Sequence, residues 1–367
     1  MSGKIKVLIV DDSAYSRQTI KGMLETDQGI EVTGIASDGI EAMAKTIRLK
    51  PDVITLDFEM PEMDGFSFLR WLMKERPTPV VMVSSHSDST MVFKALELGA
   101  VDFIAKPSRR ASLELLGIQG DLLGKIKGIR DLEMGKLSIS RELLLHHSPN
   151  EARRDEVYEG SEESSEEHGV VAIGASTGGP TALQIVLTRL PWNLPAGIVV
   201  SQHMPRGFTK PFTERLAKLT RIKVREAADG DIVEPGKALV CPGGHNMILK
   251  KKHQTIRVIL KEATGRDKYV PSVDLMMSSA AEHFGPMTVG VVLTGMGNDG
   301  KAGVVEIKKK GGYTIAEAES TAVIFGMPNE AIKTGAVDRV LPLHKIPGEI
   351  IMTVAGKRDR KWKKTQS

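Results

Sequence analysis

The 367-residue sequence predicts an α/β protein of two consecutive domains, each built on a mostly parallel sheet. Its length suits two domains of roughly 150 residues each. In both halves, short runs rich in valine and isoleucine alternate with segments of helical spacing, which is typical of βαβ units. A stretch rich in serine, glutamate and arginine separates the two halves.

The first predicted domain covers residues 1–125 and contains five strand-like runs. They read KVLIV, VTGIA, DVITL, PVVMVSS and DFIAK, and helical segments such as SRQTIKGMLETD and GFSFLRWLMKER lie between them. The runs are continuously apolar, as expected for strands that helices cover on both faces. We therefore expect a five-stranded parallel sheet in a (βα)5 arrangement.

The rest of the chain divides into a linker, a second domain and a tail. Residues 126–168 are predicted to be a linker that is partly helical and then acidic, because SEESSEE has too few apolar side chains to form a core. Residues 169–356 are predicted to form a doubly wound α/β domain, and residues 357–367 form a basic tail. The predicted strands of the second domain are VVAIG, AGIVVSQ, ALVCP, IRVILK, TVGVVLTG and GYTIAEA.

Charge and composition exclude several classes of protein. The net charge is only +4, and outside the tail KRDRKWKKTQS the chain lacks a basic stripe, so no nucleic-acid partner is predicted. No run approaches the ~20 apolar residues that span a bilayer, so no direct membrane insertion is predicted. The single cysteine, Cys241, excludes an internal disulfide and fits a reducing cytosol, so we expect a cytoplasmic protein.

Charged side chains follow the predicted strands of the first domain. Asp11 and Asp12 follow the first strand, Asp57 ends the third, and Lys106 follows the fifth. Sites in parallel α/β sheets form at these carboxyl ends, so we expect the four side chains to converge. Three clustered carboxylates repel one another unless a cation intervenes, and Mg²⁺ prefers oxygen ligands. Asp57 is central and could accept a phosphoryl group as an acyl phosphate.

The motifs VDDS, LDFEMPEMDG, VSS and AKP, at these spacings, resemble those of a two-component response-regulator receiver domain. The resemblance covers residues 5 to 125 and implies a flavodoxin-like fold with Asp57 as the phosphoacceptor and a histidine kinase as the donor. It implies that Mg²⁺ is held by Asp11, Asp12, Asp57 and the backbone carbonyl of Glu59. It also implies that Ser84 and Lys106 sense the phosphoryl group. Phe103 matches the aromatic switch position, although it lacks the hydroxyl of the usual tyrosine, so any switching there would depend on packing.

The glycine-rich loop in GVVAIGASTGGPTAL, residues 169–183, opens the second domain and has three interpretations. A phosphate-binding loop would require a lysine after the last glycine, and none is present. A dinucleotide-binding fingerprint would require a G-x-G-x-x-G spacing, which the glycines do not have. Gly174, Ser176 and Gly178 match G-x-S-x-G, in which a strand, a sharp turn bearing serine and a helix present a nucleophile.

A serine nucleophile requires a base and an orienting acid. His203 ends the strand AGIVVSQ and is the preferred base, while CPGGH offers a rival thiol dyad of Cys241 and His245. Asp299, in the glycine-rich loop after TVGVVLTG, is the preferred acid. Asp274 is the alternative, although PSVDLMM has the pattern of a helix start, where aspartate commonly caps. The backbone amides of Met296, in the same loop as Asp299, and of Thr177, at the predicted helix start, are the candidate oxyanion donors.

The motifs GASTGGP, SQHMP, CPGGHN, PSVD and LTGMGNDG, in this order, resemble the catalytic domain of the chemotaxis protein-glutamate methylesterase family. That family joins a receiver to this domain. The resemblance implies Ser176 as nucleophile, His203 as base, Asp299 as acid and Met296 as an oxyanion donor. It implies that the protein hydrolyses glutamate methyl esters on methyl-accepting chemotaxis receptors, releasing methanol, and deamidates certain receptor glutamines, without a cofactor for hydrolysis. The chemotaxis histidine kinase would activate it by phosphorylating Asp57.

Two other functions remain open from the sequence. A receiver could be joined to a DNA-binding domain, but the second half shows no helix-turn-helix pattern. The second half could also be a serine hydrolase for small esters, with the receiver as a scaffold. Salt-dependent DNA binding would support the first function, and equal activity on small esters and on methylated receptor would support the second.

Overall fold

The computed structural model describes residues 3–84, 89–106, 112–130, 132, 134–145 and 168–365. The chain divides into two compact units, Met1–Arg141 and Glu142–Ser367. The linker residues 146–167 lie outside the described residues. Among the helices that are described, none combines the length and the hydropathy needed to cross a bilayer.

The first unit alternates strands and helices along the chain. Its strands are β1 (Ile5–Val10), β2 (Ile30–Ala36), β3 (Val53–Asp57), β4 (Val80–Ser84) and β5 (Asp102–Ala105). Its helices are α1 (Ala14–Glu25), α2 (Gly39–Leu49), α3 (Gly65–Glu75), α4 (Ser89–Leu98) and α5 (Ser112–Ile129), and α6 (Met134–Leu145) spans the division between the units. The described strands pair in parallel in the order β2-β1-β3-β4-β5. The predicted flavodoxin-like (βα)5 fold is confirmed.

Polar side chains cap the N-termini of the first three helices. Ser13 precedes α1, Asp38 precedes α2 and Asp64 precedes α3, and each side chain accepts a hydrogen bond from a backbone N–H of the first turn. Such caps satisfy donors that the helix itself leaves unpaired. The chain therefore turns sharply after β1 and holds Asp11 and Asp12 at the sheet edge.

The second unit contains a larger sheet and a separate hairpin. Its strands are β6 (Gly169–Ala175), β7 (Ala196–Gln202), β8 (Lys223–Glu226), β9 (Lys237–Val240), β10 (His245–Lys252), β11 (Thr255–Glu262), β12 (Thr288–Val292), β13 (Tyr313–Glu317) and β14 (Arg339–Leu341). Its helices are α7 (Gly179–Thr188), α8 (Thr209–Leu219), α9 (Val273–Phe284), α10 (Lys301–Lys309), α11 (Met327–Ile332) and α12 (Ile346–Thr365). In the described part of the unit, seven strands pair in parallel in the order β14-β13-β12-β6-β7-β9-β8. The predicted α/β class is confirmed.

Both sheets reverse their winding direction beside a central strand. In the first sheet the chain passes from β1 to β2 on one side and then to β3 on the other. In the second sheet it passes from β6 to β7 on one side and later to β12 on the other. Crevices at such reversal points, outside the carboxyl ends of the strands, are where α/β sheets bind ligands.

Some predicted elements differ from those observed. The run IRVILK belongs to β11, but it pairs antiparallel with β10 in a two-stranded hairpin and does not enter the parallel sheet. A two-residue turn between Lys252 and Thr255, with His253 at φ 56°, closes this hairpin. The predicted domain boundaries at residues 125 and 356 both lie inside helices, since α5 continues to Ile129 and α12 to Thr365.

Candidate active site and acidic cluster

The predicted acidic cluster forms at the reversal point of the first sheet. One carboxylate oxygen from each of Asp11, Asp12 and Asp57 lies within 4.8 Å of the others. Lys106 Nζ lies 2.6 Å from Asp57 Oδ2 and 3.4 Å from Asp11 Oδ2. Asp11 and Asp57 are buried, whereas Asp12 is exposed. The structure therefore brings together the three carboxylates and the lysine that the strand ends predicted.

The cluster carries more negative charge than Lys106 can balance. Burial, together with the Asp57 charge, raises the pKa of Asp11 to about 6 even though Lys106 opposes the change. Burial also raises the pKa of Asp57 against the hydrogen bond from Lys106. Asp11 Oδ2 is buried and accepts no hydrogen bond from the residues that the structure describes. A hard divalent cation with oxygen ligands fits this donor set.

The other residues that the receiver resemblance implied lie on β4, on β5 and in the loop after β3. Glu59 is exposed in the loop after β3, where it lines a surface depression together with Asp12 and Phe58. Ser84 ends β4 and pairs in register with Ala105, next to Lys106, and its side chain lies outside the described residues. Phe103 is buried in β5, and its ring meets the ring of Phe93 edge to face at 6.3 Å.

The second site begins at Ser176, which follows β6 in a tight turn before α7. Ser176 N–H donates to the carbonyl of Thr294 at 3.0 Å, and Gly179 N–H donates to the carbonyl of Ser176 at 2.8 Å. Gly178 has φ 77°, and a Cβ there would lie 2.8 Å from Val323 Cβ. The turn therefore requires glycine at this position. Thr177 lies inside the turn, so the prediction that it opens the helix is wrong, because α7 begins only at Gly179.

His203 follows the neighbouring strand, β7, at the same level as Ser176. Ala175 and Gln202 pair in register, and His203 N–H donates to the Ala175 carbonyl at 3.0 Å. The buried Gln202 side chain donates from Nε2 to the carbonyls of Ser176, at 2.9 Å, and of His203, at 3.0 Å. This one amide ties together the backbones that carry the two predicted catalytic residues.

Asp299 reaches the imidazole of His203 from the loop after β12. Its Oδ2 lies 2.8 Å from His203 Nε2. The side chain of Asp299 is 1% exposed and that of His203 is 15% exposed. Val273 N–H and Asp274 N–H, at the start of α9, donate to the Asp299 carboxylate at 2.7 and 2.9 Å. Burial alone would raise the pKa of Asp299, but the hydrogen bonds from His203 and from these amides hold it below its ordinary value.

The loop that contains Met296 lies directly against the nucleophile turn. A Cβ on Gly295 would lie 2.7 Å from Ser176 Cβ, so only glycine allows this approach. Gly326 N–H and Met327 N–H both donate to the Gly295 carbonyl, at 3.1 and 2.8 Å, and hold the loop from its other side. The half-buried Met296 directly follows the glycine that contacts Ser176.

Comparison with known proteins places this geometry in a family. A family model described as CheB methylesterase matches residues 171–350, and one described as response regulator receiver domain matches residues 7–116. The "Protein-glutamate methylesterase/protein-glutamine glutaminase 3" of Geobacter sulfurreducens is 49% identical over 360 residues, which are 95% of this chain and 97% of that protein. This chain belongs to the CheB methylesterase family.

A second relative matches nearly the whole chain, and a solved structure matches the second unit. The protein-glutamate methylesterase/protein-glutamine glutaminase of Pyrococcus horikoshii is 44% identical, over 96% of this chain and 95% of that protein. The crystal structure of the Thermotoga maritima CheB methylesterase catalytic domain superimposes with a TM-score of 0.50 at 42% identity. It covers 51% of this chain and 100% of the solved domain.

In this CheB-family chain, the alternative catalytic residues Cys241 and Asp274 have surroundings that do not suit catalysis. Burial raises the pKa of the Cys241 thiol to about 12, and its Sγ lies 3.4 Å from the backbone carbonyl of His245. A neutral buried thiol is a poor nucleophile, which argues against the thiol dyad. Asp274 Oδ1 accepts a hydrogen bond from Gly303 N–H at 2.7 Å, at the start of α10. Asp274 therefore caps α10, whereas the N-cap of its own helix, α9, is Ser272.

Several residues of the site were missed by the sequence analysis. Tyr269 stacks on His203, and Asn298 accepts a hydrogen bond from the Tyr269 hydroxyl at 2.9 Å. Glu317, fully buried at the end of β13, accepts a hydrogen bond from Thr294 N–H at 2.8 Å. The position of Glu317 at a strand end was the one available signal, whereas Tyr269 lies in a loop between β11 and α9.

Proposed function

We propose that this chain removes methyl groups from glutamate methyl esters on chemoreceptors and deamidates receptor glutamines, with Ser176 as nucleophile, His203 as base and Asp299 as acid. The observation that carries the proposal is the 2.8 Å contact between His203 Nε2 and the buried Asp299 carboxylate, one strand away from the Ser176 turn. The names of the relatives, protein-glutamate methylesterase/protein-glutamine glutaminase, supply the substrate class.

The chemistry is acyl transfer in two steps. Ser176 Oγ attacks the γ-carbonyl carbon of the esterified glutamate and passes its proton to His203. Because Asp299 engages Nε2, Nδ1 is the ring nitrogen left for this transfer. The imidazolium returns the proton to the methoxide oxygen, methanol leaves, and an acyl-enzyme remains. Water, deprotonated by His203, then cleaves the acyl-enzyme and regenerates the glutamate and Ser176. With glutamine the leaving group is ammonia.

Charge in the transition state falls on the substrate oxygen and on the imidazole. The amides of Met296 and Thr177 are the proposed donors to the oxyanion, since the Gly295 loop and the Ser176 turn are in contact. Asp299 orients the imidazole and stabilises the imidazolium. Its depressed pKa keeps the carboxylate ionised for that role.

The first unit is the proposed regulatory switch. Asp57 accepts a phosphoryl group from a chemotaxis histidine kinase, and Asp11, Asp12, Asp57 and the Glu59 carbonyl would hold Mg²⁺. The bound ion would neutralise charge on the carboxylates and the incoming phosphoryl group. Lys106, already 2.6 Å from Asp57, and Ser84 would then bind the phosphoryl oxygens, with Phe103 responding by packing. Phosphorylation raises the esterase activity, and the protein acts in the cytoplasm.

Methanol release from methylated receptor fragments tests the proposal. The full-length wild type, Ser176→Ala and Asp57→Asn are compared with and without a small-molecule phosphodonor and Mg²⁺. We expect Ser176→Ala to lose about 10⁴-fold or more in rate. We expect the phosphodonor to accelerate the wild type and to leave Asp57→Asn unchanged.

The outcomes separate the two halves of the proposal. Wild-type release by Ser176→Ala would remove the serine mechanism. Release that requires Ser176 but ignores the phosphodonor would keep the esterase and discard the switch. Equal rates on a small methyl ester and on methylated receptor would favour a general esterase instead.

A further inference from the structure

An aromatic ring lies flat against the imidazole of the proposed base. The ring of Tyr269 and the ring of His203 are 5.2 Å apart between centroids, with only 6° between their planes. Parallel rings at this centroid distance are offset, which is a favoured arrangement for aromatic pairs. Tyr269 is half-buried, so the ring also shields part of the imidazole from water.

The Tyr269 ring is held in place by the loop that carries Asp299. The Tyr269 hydroxyl donates to Asn298 Oδ1 at 2.9 Å and accepts a hydrogen bond from Asn298 N–H at 3.3 Å. Gly297 has φ 82°, and a Cβ there would lie 2.5 Å from the Tyr269 hydroxyl oxygen. The neighbouring Lys268 donates to the same Asn298 oxygen at 3.1 Å. Tyr269 and Asp299 are thus linked through adjacent residues and act on one imidazole from different directions.

We propose that Tyr269 is a positioning residue that holds the His203 ring in the plane required for proton transfer. This inference rests on the proposed function, in which His203 is the base. Asp299 engages one ring nitrogen, but a single hydrogen bond leaves the imidazole some freedom of rotation about the Cβ–Cγ bond of His203. A flat ring packed against the imidazole face opposes that rotation and so holds the direction in which Nδ1 points.

The stack contributes more when the imidazole is charged. A cation over the face of a tyrosine ring is attracted by the negative charge of the π system. As the proposed base, His203 gains a proton, and with it a positive charge, in the transition state of each step. An interaction that strengthens in the transition state affects kcat and leaves substrate binding nearly unchanged. If the contact were purely structural, its removal would lower the stability of the protein without lowering kcat selectively over KM.

The test compares Tyr269→Leu, Tyr269→Phe and a control, Tyr313→Leu, in the full-length protein. Tyr313 is also half-buried, but it begins β13 and so lies at the opposite edge of the sheet from the site. With methylated receptor fragments, we expect Tyr269→Leu to lower kcat by about 10- to 100-fold with KM within about threefold. Tyr269→Phe keeps the ring but loses the hydrogen bonds to Asn298, so its kcat should lie between those of wild type and Tyr269→Leu. Tyr313→Leu should keep the wild-type kcat.

A spectroscopic measurement accompanies the kinetics. The Tyr269 ring current should shift the ring protons of His203 in the NMR spectrum of histidine-labelled protein, with His203→Gln identifying the signal. The shift should persist in Tyr269→Phe and vanish in Tyr269→Leu. Wild-type kcat in Tyr269→Leu, while Ser176→Ala and His203→Gln are inactive, would overturn the positioning role alone. Activity in Ser176→Ala and His203→Gln would instead overturn the proposed function.

Discussion

The two sites occupy equivalent places in their sheets and have opposite electrostatics. Each lies at the carboxyl ends of parallel strands where the winding direction reverses, beside β1 and β3 in one unit and beside β6 and β12 in the other. Each contains a buried carboxylate, Asp57 or Asp299. Yet the pKa of Asp57 is raised and that of Asp299 is lowered.

The neighbours of each carboxylate explain the difference. Asp57 shares Lys106 with Asp11 and also lies close to the Asp12 carboxylate, so its burial is incompletely compensated. Asp299 is deeper, but it accepts hydrogen bonds from two amides at the start of α9 and from His203. Equivalent positions in the two sheets therefore provide, in the first, uncompensated negative charge that attracts a cation and, in the second, a preformed anion that stabilises an imidazolium.

The largest effect is expected from a substitution in the second site. Asp299→Asn keeps the shape of the side chain but removes the charge that stabilises the imidazolium, so we expect kcat for methanol release to fall by about 10⁴-fold. Asp274→Asn is the matched control, because Asp274 caps α10 through Gly303 N–H. It should keep kcat within about tenfold of wild type. A drop of the same size in both variants would show that Asp299 has only a structural role.

A smaller effect tests the uncompensated negative charge of the first site. At a Mg²⁺ concentration of about one hundred times Kd, the free energy of unfolding of the first unit should rise by about 2.7 kcal/mol. If Asp12→Asn weakens binding tenfold, the gain at the same concentration falls to about 1.4 kcal/mol. Urea unfolding followed by Trp71 fluorescence, with Trp192 and Trp362 replaced by phenylalanine, measures both values. A free energy of unfolding that does not respond to Mg²⁺ would contradict the cation site.

An effect that appears only as a pH dependence concerns Glu317, a buried carboxyl at the end of β13. Burial raises the pKa of Glu317 from 4.5 to about 7, although it accepts hydrogen bonds from Thr294 N–H and the Thr321 hydroxyl. Between these two pH values the folded state binds more protons than the unfolded state, so this group lowers stability as pH rises from 4.5 to 7. Its contribution is constant below and above that window and amounts to at most about 3 kcal/mol.

Glu317→Gln removes this titration and should flatten the dependence. Urea unfolding of the second unit, followed by Trp192 fluorescence at pH 5, 6, 7 and 8 with Trp71 and Trp362 replaced by phenylalanine, compares the variant with wild type. We expect the stability of Glu317→Gln relative to wild type to increase steadily over that range up to about pH 7. Parallel curves for the two proteins would show that Glu317 titrates near its ordinary value in the folded state.

The strand ends of the parallel sheets could be predicted from the sequence because local sequence determines where each strand ends. Apolar runs such as KVLIV and VVAIG form strands, and parallel pairing then brings Asp11, Asp57, Ser176 and His203 to a sheet edge. The β10–β11 hairpin could not be predicted in the same way. IRVILK has the composition of a core strand, but its partner HNMILKKK ends in three lysines, and the pattern does not show that the pair stands apart.

The sequence by itself determined the two α/β units and the residue types at their strand ends, because strand periodicity is local and the alternation of strands with helices implies parallel pairing. The tertiary structure alone decided which ring nitrogen of His203 faces Asp299, which ring covers the imidazole and which carboxyl lies beneath Thr294. These contacts join distant segments through close packing. Their geometry depends on how whole helices and loops settle against the sheet, which no short stretch of sequence specifies.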